Sequence, residues 1–397
     1  MKQKHAKTPA SPAARSQLVT YGIVLGAYLL FEILLRAGAL SSHMTGLLVP
    51  MVYYAVVAVG LNLCVGILGE LSLGHAGFMC IGAFSSAIFS ILMQDVLPGG
   101  LRFLLAFLIG LAFSALFGFL IGIPVLRLNG DYLAIVTLAF GEIIKNILSA
   151  MYLGVDSRGL HLSLRSQAAL GLEPEGRMLV NGAMGITGTP HDSSFTVAVL
   201  VLLLALFLVQ NLIHSRHGRA IMSIRDNRIA AESIGINVVR CKMEAFTLSA
   251  VIAGAAGVLF SHNISTLQAS SQYFGYNVSI MILVYVVLGG IGSIRGSVIA
   301  AAVLYVLPEL LRGLNKYRML IYSIVLIAVM LMNWSPAARE RRDALTAKLR
   351  QRLPRFVSGS HAAGAAAGAV PEDAAADRRG EAAGSMAEDT REPGKEA

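Results

Sequence analysis

Apolar runs of about twenty residues recur along most of the chain, at 18–37, 46–67, 71–93, 101–126, 132–153, 195–213, 243–262, 277–292, 296–312 and 318–334. A hydrocarbon core about 30 Å thick takes roughly 20 helical residues to cross, so each run is a candidate transmembrane helix. The pattern predicts an all-α, polytopic bundle of eight to ten spans. Two places break the pattern: the run at 71–93 opens with Gly69-Glu70-Leu71-Ser72-Leu73-Gly74-His75-Ala76-Gly77, and 277–312 is split by Gly289-Gly290-Ile291-Gly292-Ser293-Ile294-Arg295-Gly296. Either is a candidate broken or re-entrant helix, which is tolerated only where protein or a water-filled cavity surrounds it.

Between the runs lie a cytoplasmic arm at 1–17, a glycine-rich polar loop at 154–194, a basic loop at 214–242 and a polar tail at 336–397. The membrane-spanning body is 18–335. Residues 214–242 hold six Lys/Arg against Asp226 and Glu232, and the tail holds 11 basic and 10 acidic residues. With 55% hydrophobic residues, 14% charged and a mean hydropathy of +0.67, a soluble enzyme is excluded. The net charge of +9 sits largely in the arm and the basic loop, the positive-inside signature, so it signals orientation rather than nucleic acid. Alternating spans then place both termini inside, 214–242 inside and 154–194 outside. Arg312, Lys316 and Arg318 dissent from that count. The first run carries Glu32 and is long for a signal sequence, so it reads as an uncleaved span. The tail is too polar to fold alone, and Trp334 reads as an interfacial anchor.

No phosphate-binding loop, zinc-protease helix or nucleophile elbow occurs in the chain, so neither ATP hydrolysis nor hydrolytic chemistry is expected of it. Cys64, Cys80 and Cys241 lack the spacing of a metal site. Small residues such as Gly74, Gly77 and Gly82, or Gly254 and Gly257, let helices approach closely or line a path with backbone. Intramembrane ionisable groups are more telling, since each is costly in lipid. Glu142 and Lys145, three apart on one helix face, either pair or serve passage of a substrate. Glu70 and His75 either cap and cross-link helices or touch substrate. In the basic loop, Arg225-Asp226-Asn227-Arg228 leads into a helix of one to two turns through Ala230, Ala231 and Glu232, stopped by Gly235. Such an element suits docking of a soluble partner.

The Ala230-Ala231-Glu232 and Gly235 arrangement resembles the coupling loop of ABC-importer permeases. Leu61-Asn62-Leu63, Gly69 to Phe78, Gly130 to Ile143, Ala220 to Asn237, Ala245 to Ala250 and Val287 to Ser293 together resemble LivM-type permeases of branched-chain amino acid importers, over about 45–335. The family carries Gln where this chain has Glu70, and only Asn181-Gly182 and Gly185 to Gly188 of the 154–194 loop are familiar. The resemblance implies a bacterial inner-membrane subunit working with two cytoplasmic ATPases, a second homologous permease, a periplasmic binding protein and membrane lipid. It binds no cofactor or metal itself, ATP being used by the partners. It also implies coupling through Arg225, Ala230, Ala231, Glu232 and Gly235, and a route past Asn62, Glu70, Ser72, Gly74, His75 and Thr137. Two alternatives stand: an importer of the same family for urea, a short amide or another carboxylate, or an autonomous ion-coupled carrier using Glu70, Glu142 and Lys145.

Overall fold

Each of the ten apolar runs contains a helix. The computed structural model describes residues 12–334 apart from 40, 129, 175, 312 and 314–316; the 336–397 tail, most of the 1–17 arm, and the side chains of Arg318 and Trp334 lie outside the described residues. In chain order come α1 (Pro12–Arg36), α2 (Ser42–Asn62) with a π-helical turn at Leu63–Leu68, α3 (His75–Leu92), α4 (Gly99–Val125) and α5 (Asp131–Ala150). Strands β1 (Tyr152–Asp156), β2 (Gly159–Ser163), β3 (Arg177–Asn181) and β4 (Ile186–Thr187) follow. Then come α6 (Phe195–His214), α7 (Arg216–Asp226), α8 (Arg228–Ser233), α9 (Val238–Ser261), β5 (Thr266–Leu267), α10 (Ser271–Phe274), α11 (Tyr276–Gly289), α12 (Ile294–Leu310) and α13 (Arg318–Trp334). Among the described residues, eight helices are long and apolar enough to cross a membrane, and α12 and α13 fall short at 17 residues each.

Side-chain caps decide where several helices start. Ser194, Ser215, Asn227, Asn237 and Ser293 each accept a hydrogen bond from a backbone N–H in the first turn that follows. Asn237 explains why α9 begins at Val238 rather than at 243: it takes the Arg240 N–H, and the helix absorbs the last residues of the basic loop.

The bundle is built around α9, which packs on α2, α3 and α4. The α2 and α3 spans are 83% and 78% buried, whereas α1 is 11% buried and rests on α6. Helices apolar on every side have no lipid-facing stripe to distinguish, so only packing separates core spans from peripheral ones. Glycines close the central seam. A Cβ on Gly82 would overlap the backbone of Gly254, and one on Gly257 would overlap that of Met79, so α3 and α9 touch backbone to backbone.

The 154–194 region is not simply a loop. β1 pairs antiparallel with β2 and β3 in the order β2-β1-β3, and β4 pairs with β5 to tie this region to the α9–α10 connection. The short strands show too little alternation to be seen among glycines and polar residues.

Candidate functional site

A buried break in a helix leaves backbone N–H and C=O groups that need partners. After the π turn the chain runs from Gly69 to Gly74 without helix, and Leu73 N–H donates to Thr137 Oγ1 of α5 (3.0 Å). At the head of α3, Ala76 N–H donates to Ser279 Oγ of α11 (3.1 Å). The second break, Gly290 to Ser293, joins α11 to α12. Gly292, at φ +82°, holds a left-handed backbone that favours glycine, and its N–H donates to Asn62 Oδ1 (2.9 Å). Asn62 Nδ2 donates in turn to Ser297 Oγ of α12 (2.8 Å). One amide therefore fastens the two breaks together.

Asn62, Ser72, His75 and Thr137 are each 1% exposed or less, and Gly74 is buried with them. The serine and histidine groups form a chain. Ser249 Oγ donates to the Gly60 carbonyl (2.6 Å), so it accepts from His75 Nε2–H (2.7 Å). That leaves His75 Nδ1 as the acceptor for the Ser72 hydroxyl (3.3 Å). The histidine is a neutral cross-link between α2, the break and α9. Glu70 is not a lone charge: its carboxylate pairs with Lys242 of α9, and the two side chains are 13% and 4% exposed. Lys242 and the serines at 249, 279 and 297 were not singled out from sequence. The available signal for Lys242 was a cation in the first turn of an apolar span, which demands an anion nearby.

The basic loop folds against these breaks. Arg225, in the last turn of α7, donates from Nη1 to the Gly66 carbonyl within the π turn (2.9 Å), and its side chain lies where a Cβ on Gly69 would fall. A π turn shifts the hydrogen-bond ladder and frees such a carbonyl. Helix α8 follows at once, closed by an Arg228–Glu232 pair (3.1 Å). Gly235 stops it at φ +84°. Buried Ala231 joins Ile224 and Val238 in a small core of their own, which packs α7, α8 and the start of α9 together. Ala230 is exposed beside Ile229 and Ile234, which are 80% and 74% exposed. Two bare isoleucines, one in the six-residue helix and one just after it, offer an apolar contact on a largely polar loop.

Glu142 and Lys145 pair at 2.5 Å. Lys145 also donates to Ser271 Oγ (2.9 Å), and Glu142 Oε1 accepts the Tyr276 N–H at the head of α11 (2.7 Å). The sequence left open a pair or a passage role; the structure forms the pair and adds partners. Among the described residues, no three His, Cys, Asp or Glu side chains gather as a metal site.

Residues 43–331 match the family described as branched-chain amino acid transport system, permease component. The chain is 36% identical over 293 residues to the Salmonella typhimurium high-affinity branched-chain amino acid transport system permease protein LivM, covering 71% of this chain and 66% of that protein. It thus spans just under two thirds of that relative's length. It is 24% identical to the Escherichia coli permease protein LivH of the same-named system, over 70% of this chain and 89% of LivH. With the fructose import permease protein FruG of Bifidobacterium longum it shares 25% identity, over 75% and 82%. No solved structure matches the chain. Helix count, helix breaks and similarity over 43–331 agree, and this chain belongs to the permease components of branched-chain amino acid transport systems.

Proposed function

We propose that the protein is the membrane-spanning subunit of an ATP-driven importer, carrying branched-chain amino acids delivered by a periplasmic binding protein. It works in a bacterial inner membrane, both termini inside, with two cytoplasmic ATPase subunits and a second homologous permease. ATP is bound and hydrolysed by those partners, and this chain needs no cofactor.

The observation that carries the reading is Arg225. It links the α7–α8 piece, with its exposed isoleucines, to the carbonyl freed at the π turn. Closure of the ATPases would move α8 and α7 together, and Arg225 would draw on the π turn. Through Asn62 and the Ser72–His75–Ser249 chain the pull reaches both helix breaks. On this reading Asn62, Glu70, Ser72, Gly74, His75 and Thr137 shape the route by holding the breaks, which re-form as the spans rock. Glu70 adds no net charge to the route because Lys242 neutralises it, so the family's amino acid cargo stays the favoured one over another carboxylate.

Affinity purification of the chain from its host membrane, followed by mass spectrometry, tests the assembly. The expected companions are ATPases and a second permease; a chain that travels alone and takes up leucine by itself in liposomes would favour the ion-coupled carrier. Glu232→Lys, which reverses the charge beside Ile229, is expected to lower ATPase association by about ten-fold or more. Gly235→Pro should do the same, since proline cannot adopt a positive φ. Arg225→Met is expected to leave association intact and cut uptake per ATP hydrolysed. Unchanged co-purification of the Glu232 and Gly235 variants would contradict coupling through α8.

A further inference from the structure

Most spans turn apolar side chains outward at mid-helix: Leu25 and Leu29 on α1, Leu108 and Leu116 on α4, Leu204 on α6. These faces suit lipid. The neighbouring α5 and α10–α11 also turn apolar groups outward, Ile135 and Ile147 among them, but add polar ones. They expose Asn146, Gln272 and Asn277, and the Glu142 side chain between them is 26% exposed. Glu142 lies eight residues before the sheet end of α5, about 12 Å at 1.5 Å per residue, within the depth of the hydrocarbon core. A carboxylate does not face lipid tails at that depth without large cost, so this face meets water or protein in the membrane.

Its chemistry is mixed in a particular way. Beside the polar groups, Ile143 and Ile280 are also exposed, 54% and 40%. A carboxylate, amides and aliphatic side chains together complement a solute with an ammonium group and an apolar body. The Glu142 carboxylate already accepts from Lys145 and the Tyr276 N–H, yet two oxygens offer about four acceptor sites, so a further donor can be taken on its open side. We propose that the α5/α10–α11 face is the wall of the translocation route, and that Glu142 receives the ammonium group of the amino acid in transit. Lys145, 8% exposed, is the positioning residue that holds the Glu142 carboxylate in place. This rests on the importer reading and adds to it where the cargo touches this chain.

The test uses the assembled importer with its ATPases, second permease and binding protein in liposomes, with leucine as probe. Replacing Glu142→Gln together with Lys145→Met removes both charges without stranding either. The expected result is a fall of about ten-fold or more in leucine uptake, as for loss of a hydrogen bond to a charged group, while stimulation of ATPase by the binding protein persists. In a separate variant, Asn146→Cys, a membrane-impermeant thiol reagent is expected to label the new cysteine, and leucine-loaded binding protein with ATP to change the rate. Uptake within about two-fold of the parent, or labelling of Asn146→Cys by lipid-soluble reagents alone, would overturn the proposal. A double variant that fails to assemble leaves the decision to the labelling. If the parent importer takes up no leucine, the importer reading fails on its own, and the labelling still reports whether the face is wet.

Discussion

Glu70→Gln by itself is expected to destabilise the protein by about 3–5 kcal/mol, and adding Lys242→Met is expected to restore most of the loss. The substitution removes the carboxylate and leaves the Lys242 ammonium, 4% exposed, without its anion. Desolvating an unpaired ammonium costs far more than the pair gains, which is why removing one partner hurts and removing both need not. Glutamine has nearly the shape of glutamate, so the backbone can hold it; the harm comes from Lys242. Denaturant unfolding in mild detergent of the parent, the single and the double variants measures this directly. A single variant as stable as the parent would mean that Lys242 reaches water or another anion, and the ion pair would then have no part in holding the first helix break.

Gly257→Leu is expected to separate α9 from α3 and to prevent a stable bundle, and Gly257→Ala to cost about 1–3 kcal/mol or more. The reason is what a side chain would meet. At Gly257 a Cβ overlaps the Met79 carbonyl and comes within 2.9 Å of Ala83 N, both backbone atoms of a buried helix with nowhere to retreat. Gly26 on α1 provides the contrast: nothing lies within 4 Å of its would-be Cβ, and Gly26→Ala should be neutral or mildly stabilising through helix propensity. Detergent-solubilised yield and thermal unfolding of the two alanine variants, side by side, separate seam packing from propensity. Equal behaviour would count against close backbone contact as the basis of the seam.

The candidate site was legible in unequal parts. The helix of the basic loop and its glycine stop could be read directly, because Asn227, the Ala-Ala pair and Gly235 are local signals whose meaning needs no neighbour. Both helix breaks could also be read, since clustered glycines interrupt an apolar run wherever they occur. What holds the breaks could not. Ser249, Ser279 and Ser297 are ordinary small polar residues in apolar helices, and each becomes informative only through a partner at least 174 positions away. The sheet between α5 and α6 was missed for a related reason: its five-residue strands are stabilised by pairing with one another, which leaves little trace in any single strand.

The sequence by itself determined that this is a polytopic membrane protein, where its long helices run and where they break, because hydrophobic length and clustered glycines are enough to fix those properties; the family was legible through its motifs. Only the tertiary structure decided which spans are central, that Glu70 is neutralised by Lys242, that Arg225 reaches the π turn, and that α5 and α11 expose polar and aliphatic groups side by side. Those are matters of which helix lies beside which. In a chain whose spans are apolar on nearly every side, side-chain pattern alone does not choose the neighbours; close backbone approach at glycine and the need to pair each buried polar group do.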